Sequence, residues 1–144
     1  MAIGAALRTF LLADAAIAAA IVEPDGTKWR IYPVQLPQGL NQLAIRYTII
    51  SGQRPHASPQ GAMGLSGPRI QIDVWGPVYA PGVHALAELI RKRLDGYRGA
   101  AGSGGDATTI QGAFFADERD GYEPESKLYF FSRDYFVWFE EAIA

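Results

Sequence analysis

Apolar residues recur at Ile3, Leu7, Phe10 and Leu11 with the three-and-four spacing of a helix face. Asp14 would fall on that same face if the helix ran on. The pattern therefore ends the first helix near Ala13 and makes Asp14 the N-cap of a second, Ala15–Val22. A carboxylate there accepts from the free backbone N–H groups of the next turn. Pro24-Asp25-Gly26 then supplies turn chemistry. Trp29–Val34 reads as a short extended segment that Pro33 confines to an edge or an end. Pro37-Gln38-Gly39 turns the chain, and Leu43–Ser51 is a strand rich in β-branched and aromatic residues. Arg69–Trp75 alternates, with Ile70, Ile72 and Val74 on one side and Arg69, Gln71, Asp73 and Trp75 on the other. That is the signature of a half-buried antiparallel strand.

Pro81 suits the first turn of a helix whose apolar stripe is Val83, Leu86, Ala87, Ile90 and Leu94, with Gly96 as its stop. Glu88 and Lys92 form an i,i+4 pair on its wet side. Gly99–Asp106 reads as a flexible Gly/Ser connection. Thr108–Ala116 and Lys127–Glu140 read as strands joined by a turn around Asp117–Ser126. Strands thus come in adjacent pairs, which predicts an α+β fold: an antiparallel sheet with helices on one face, in a single domain over 1–144. Between two strands that a tight turn could join lies Gly52–Gly67, without periodicity and longer than structureless loops usually are. Its Arg54, His56, Met63 and Leu65 are read as contacts of a flexible arm that docks on a partner.

The last strand changes the picture. Ten of the 17 aromatics lie between Phe114 and Phe139. One face of Lys127–Glu140 carries Leu128, Phe130, Phe136 and Trp138, the other Tyr129, Phe131, Tyr135, Val137 and Phe139. Helices on one side of a sheet need one apolar face, so the second needs a second cover. An intrachain element such as Trp29–Val34 could supply it, and so could another subunit. Charged residues are 19% of the chain, below the roughly 25% of an ordinary domain, which favours the subunit. Tyr129, Phe131, Tyr135 and Phe139 are accordingly expected at a subunit interface, at least two of them buried only in the oligomer.

Candidate chemistry is sparse. The chain has no Cys, which excludes disulfides and a thiol nucleophile. It contains no phosphate loop, no G-x-S-x-G and no H-E-x-x-H. His56 and His84 are the only imidazoles and read as unrelated side chains. Asp117, Glu118 and Asp120, with Glu123 and Glu125 behind them, could run acid–base chemistry if their environments split their pKa values. Arg119 interrupts that cluster, so Asp117, Glu118 and Arg119 read better as a solvated turn or as intersubunit ion pairs. A small ligand-binding or enzymatic domain using Asp117–Asp120 is the alternative. No catalytic, cofactor or metal residue is assigned. The net charge of −2 gives no basic footprint for nucleic acid, and Arg91-Lys92-Arg93 points three ways on a helix. Arg8 before the apolar Phe10–Val22 imitates a signal peptide, but Asp14 interrupts the stretch. No stretch is apolar enough for a membrane span.

Several stretches together carry a resemblance. These are Leu7–Asp14, Arg30-Ile31-Tyr32-Pro33, Arg69–Gly76 (RIQIDVWG), Tyr79, and the helix through Leu94-Asp95-Gly96. The last is Phe114–Glu141, with Asp117-Glu118-Arg119-Asp120 and Tyr122-Glu123-Pro124-Glu125. In that order the chain resembles the tail completion proteins of long-tailed phages, related in fold to tail terminators and found also in prophages and gene transfer agents. The resemblance implies helices against an antiparallel sheet and no enzymatic activity. It implies a hexameric ring of copies at the head-proximal end of the tail tube, which ends polymerisation and joins the head. The implied partners are the tail tube protein and the head–tail connector, and the implied location is the virion, reached from the host cytoplasm. A ring needs one surface on each subunit that fits a different surface on the next.

Overall fold

A computed structural model describes residues 2–51 and 65–140. Two helices open the chain, α1 (Ala2–Leu12) and α2 (Ala15–Ile21), followed by β1 (Ile31–Pro33) and β2 (Ala44–Ser51). Next come β3 (Leu65–Ser66) and β4 (Arg69–Gly76), a π-type turn at Tyr79–Val83, and α3 (His84–Leu94). The chain closes with β5 (Gly99–Ala101), a 3₁₀ turn at Gly104–Asp106, β6 (Thr108–Glu123) and β7 (Leu128–Glu140). The architecture is α+β, as the pattern predicted. Asp14 caps α2: its Oδ1 accepts from the N–H groups of Ala16 and Ile17 at 2.9 and 3.1 Å. No single helix among the described residues is long and apolar enough to cross a membrane.

The sheet runs β1-β2-β4-β7-β6-β5, with β3 beside the far end of β7. Every pair is antiparallel except β1 and β2, which are parallel. The sheet is thus antiparallel as expected, except for this one parallel pair at its edge. Pro33 and Val34, the latter at φ 65°, end β1 after three residues. Residues 34–43 then carry the chain back to the level where β1 began, so β2 sets off in the same direction.

Two expected connections are strands. The turn placed at Asp117–Ser126 is mostly β6, which stays paired to β7 until Glu123↔Leu128 and leaves only residues 124–127 to turn. Arg119 stands opposite Ser132 and Glu118 opposite Arg133, while Asp117 and Asp134 face each other with Arg69 shared between them. Gly99–Asp106 holds β5 and the 3₁₀ turn rather than a flexible link. Leu65, expected in the arm, lies in β3 opposite Glu140. Arg54, His56 and Met63 lie outside the described residues.

All three helices cover one face of the sheet. Ile3, Leu7 and Leu11 of α1, Ile17 and Ile21 of α2, and Leu86, Ile90 and Leu94 of α3 are buried there. They share a core with Ile45, Ile70, Ile72 and Val74, and with Phe131, Tyr135, Val137 and Phe139 of β7. This corrects the interface expectation. Phe131, Tyr135 and Phe139 are at most 6% exposed within one subunit, so no second copy is needed to bury them. The reason is position: β7 lies in the interior of the sheet, and its odd-numbered residues point at the helices. Tyr129, at the rim of this face, is half-buried against Tyr79 and Tyr122.

Tyr135 is wholly buried, and its hydroxyl has no hydrogen-bond partner among the described residues. Burial pushes its pKa up to about 12. An unmatched buried hydroxyl costs about 1–3 kcal/mol. Tyr135→Phe should therefore leave the urea midpoint unchanged or raise it, with the same m value. A loss above about 1 kcal/mol would mean that the hydroxyl is bonded.

Candidate functional site

The face that no helix covers carries a buried polar row. Register aligns Arg46, Asp73, Ser132 and Arg119 across β2, β4, β7 and β6, and in the next row Thr48, Gln71, Asp134 and Asp117. Asp73 and Asp134 are each 2% exposed. Arg46 donates through Nε to Asp73 Oδ2 at 2.8 Å, and its Nη2 joins the same oxygen. Asp73 Oδ1 accepts from Ser132 Oγ at 2.6 Å and from Gln71 Nε2 at 2.7 Å. Asp134 Oδ2 accepts from Arg69 Nε and Nη2 at 3.0 and 2.8 Å. Arg119 donates to Gln71 Oε1 at 2.8 Å and stands 3.8 Å from Asp134 Oδ1. Asp117 stands at the rim, 4.0 Å from Arg69.

Aromatic rings finish this face by lying down on it. Phe130 lies over Gly121 and Phe114 over Gly112, so close that a Cβ on either glycine would come within 2.7 and 2.6 Å of the ring. Trp138 lies as tightly on Gly67. The guanidiniums of Arg46 and Arg69 sit over Trp75 and Phe136 at 5.4 and 5.7 Å. The face thus supplies much of its own cover, through glycine gaps and arginine lids. At its hairpin end lies an open groove of about 600 Å³ between residues 36–41 and the β6–β7 turn, with Arg46, Trp75, Glu123 and Glu125 on its walls.

The helix-covered face has its own charge centre. Arg133 is buried and donates to Ala87 O at 3.0 Å, to Glu88 Oε1 at 2.7 Å and to Glu118 Oε1 at 3.4 Å. Glu88 also accepts from Arg91 at 2.9 Å, so it serves Arg91 and Arg133 rather than the Lys92 expected from spacing. Hydrogen bonds from Arg91 and Arg133 pull the Glu88 pKa down to about 2. Tyr79 donates to Asp120, which raises the Tyr79 pKa to about 12.

β6 being a strand also disperses the acidic cluster. Asp117 and Arg119 point to the open face, Glu118 and Asp120 to the helix face. Asp117, Glu118 and Arg119 each find a counter-charge within the subunit. Asp117 faces Asp134 with Arg69 held in common, and Glu118 shares Arg133 with Glu88. The described residues hold no group of three or more acidic or His side chains arranged to grip a metal. Sequence reading missed Arg46, Asp134 and Ser132 as a unit. The available signal was parity: Ser132 and Asp134 interrupt the aromatic face of β7 just where Gln71 and Asp73 share a face of β4.

No protein-family model matches the sequence, and no curated protein does. Among solved structures the fold has counterparts. A chain of the "Virion of native gene transfer agent (GTA) particle" superposes with a TM-score of 0.62 at 19% identity, covering 94% of this chain and 92% of that one. At that identity the likeness is one of fold.

Two outcomes follow from the ion pairs. Arg69→Ala removes the hydrogen-bonded cation of the buried Asp134 carboxylate, leaving Arg119 at 3.8 Å, and should cost about 3 kcal/mol in urea unfolding. Adding Asp134→Asn should return more than half of that loss, and no recovery would mean that Arg69 acts through packing alone. Glu88 titrates near 2 when folded against an ordinary 4.5, so its contribution is whole above pH 4.5 and fades as the pH falls towards 2. The stability advantage of the native chain over Glu88→Gln should therefore shrink across that window. A constant difference from pH 6 to pH 2 would contradict it.

Proposed function

We propose that this chain is a non-enzymatic structural protein of a virion or virion-like particle. In this reading copies of it form a ring, a hexamer, at the head-proximal end of the tail tube. The ring stops tube polymerisation and offers a surface to the head–tail connector. The observation that carries the reading is the end-to-end fold likeness to a chain of a gene transfer agent particle, spanning 94% of one chain and 92% of the other. The sequence resemblance to tail completion proteins, which rests on different grounds, points the same way. Arg54, His56 and Met63 are assigned to partner contact on the tube or connector.

The test is removal of the protein from the assembling particle. Without it, tubes of uncontrolled length and unjoined heads are expected, and native mass spectrometry of the added-back protein on tube ends should count six copies. Normal joined particles formed in its absence would overturn the proposal.

A further inference from the structure

The two margins of the sheet are only partly closed. On one margin, β1 covers β2 as far as Tyr47, whose carbonyl accepts from Val34 N–H at 2.9 Å. The outward backbone groups of Ile49, next in that alternation, have no partner among the described residues. On the other margin, β5 covers β6 only over Thr108–Ile110. Gly96 N–H then takes Ala113 O at 2.7 Å, and the Asp95 side chain takes Phe115 N–H at 3.2 Å. Past the bulge at Phe115/Asp117, the backbone groups of Glu118, Asp120 and Tyr122 point outward. Glu118 N–H meets only the side chain of its neighbour Asp117, and Asp120 and Tyr122 meet nothing on that side among the described residues.

The exposed large apolar side chains gather at these same two margins. Val34, Ile49 and Ile50 flank the first, Phe114, Phe115 and Tyr122 the second, and Val78 alone stands elsewhere. A long unpaired strand edge is a template for another chain. Pairing β6 antiparallel with its own copy about Asp120 would set Asp120 against Asp120 and Asp117 against Glu123, which is unfavourable. The free end of β2, Thr48–Ser51, carries no charge.

We propose that the free edge of β6, over residues 116–122, pairs antiparallel with the free end of β2 in a second copy of this chain. This rests on the ring reading above and supplies its subunit contact. In one sheet β2 and β6 run oppositely, and Ile49 stands level with Phe115 while Asp120 stands level with Ile45; the pairing therefore steps each copy about four residues along the strands, and closure tilts the strands against the ring axis. Because the two edges differ, the contact is head-to-tail and closes by repetition.

The cysteine-free chain permits a clean test. Full-length Ile49→Cys and Asp120→Cys proteins are assembled on tube ends and treated with a short bismaleimide, alone and mixed, alongside the double variant. The proposal expects no product from either alone, a dimer from the mixture, and a ladder up to the ring from the double variant. Asp120→Pro removes an outward N–H without touching the β6–β7 ladder, so it should leave the circular dichroism intact and abolish the ring. Dimers from Asp120→Cys alone would overturn the proposal in favour of β6–β6 pairing. A six-copy ring that yields no mixed product and survives Asp120→Pro would overturn the surface while leaving the ring standing. Failure of the native chain to form any ring on tube ends would defeat both. Should Asp120→Cys fail to fold, Tyr122→Cys takes its place with the same expected ladder.

Discussion

Asp73 and Asp134 are buried on the one face of the sheet that no helix covers, and a carboxylate can stay there only if cations come to it. That demand organises the open face. Arg46, Arg69 and Arg119 bend inward, Gln71 and Ser132 donate to the second oxygen of Asp73, and β6 must stay extended past Ala116 to bring Arg119 within reach. The arginine lids then stack on Trp75 and Phe136 and shield aromatic rings as well as charge. Replacing such a network with apolar residues could be as stable, since buried ion pairs seldom earn net stability. What the network does give is register, because each charged row fits only one alignment of four strands.

That arrangement answers the question raised by the two apolar faces of β7. One face is core. The other is half polar at Ser132 and Asp134, and its Trp138 and Phe130 rings lie in gaps left by Gly67 and Gly121. A second layer is therefore not required for the aromatic content of this strand. Among the described residues, what one subunit leaves open is its two sheet margins and the groove beside Trp75.

Much of this was legible in the chain. Asp14 announced its cap, the alternation of Arg69–Trp75 gave β4 with its faces, and the stripe from Val83 to Leu94 gave the buried side of α3. Strand order was not legible, because β2, β4 and β7 are brought side by side by pairing between segments far apart in sequence. Without that order nothing said that β7 is interior, so Phe131, Tyr135 and Phe139 were read as interface rather than core. Asp117–Ser126 looked like a turn because acids, Gly121 and Pro124 are turn residues locally. Cross-strand partners overrode that propensity, as tertiary context often does for strands. The charged network was hidden for the same reason, its members standing far apart along the chain and meeting only across strands.

The account's central claim is that one subunit completes its own faces and leaves its sheet edges for assembly. Amide hydrogen exchange, compared between the lone subunit and the ring on tube ends, addresses it most directly. Ile49, Asp120 and Tyr122 should gain protection on assembly, while the amides of Phe131–Tyr135, already protected in the lone subunit, should not change. Fast exchange at Phe131–Tyr135 that slows only in the ring, with Ile49, Asp120 and Tyr122 unaffected, would contradict it.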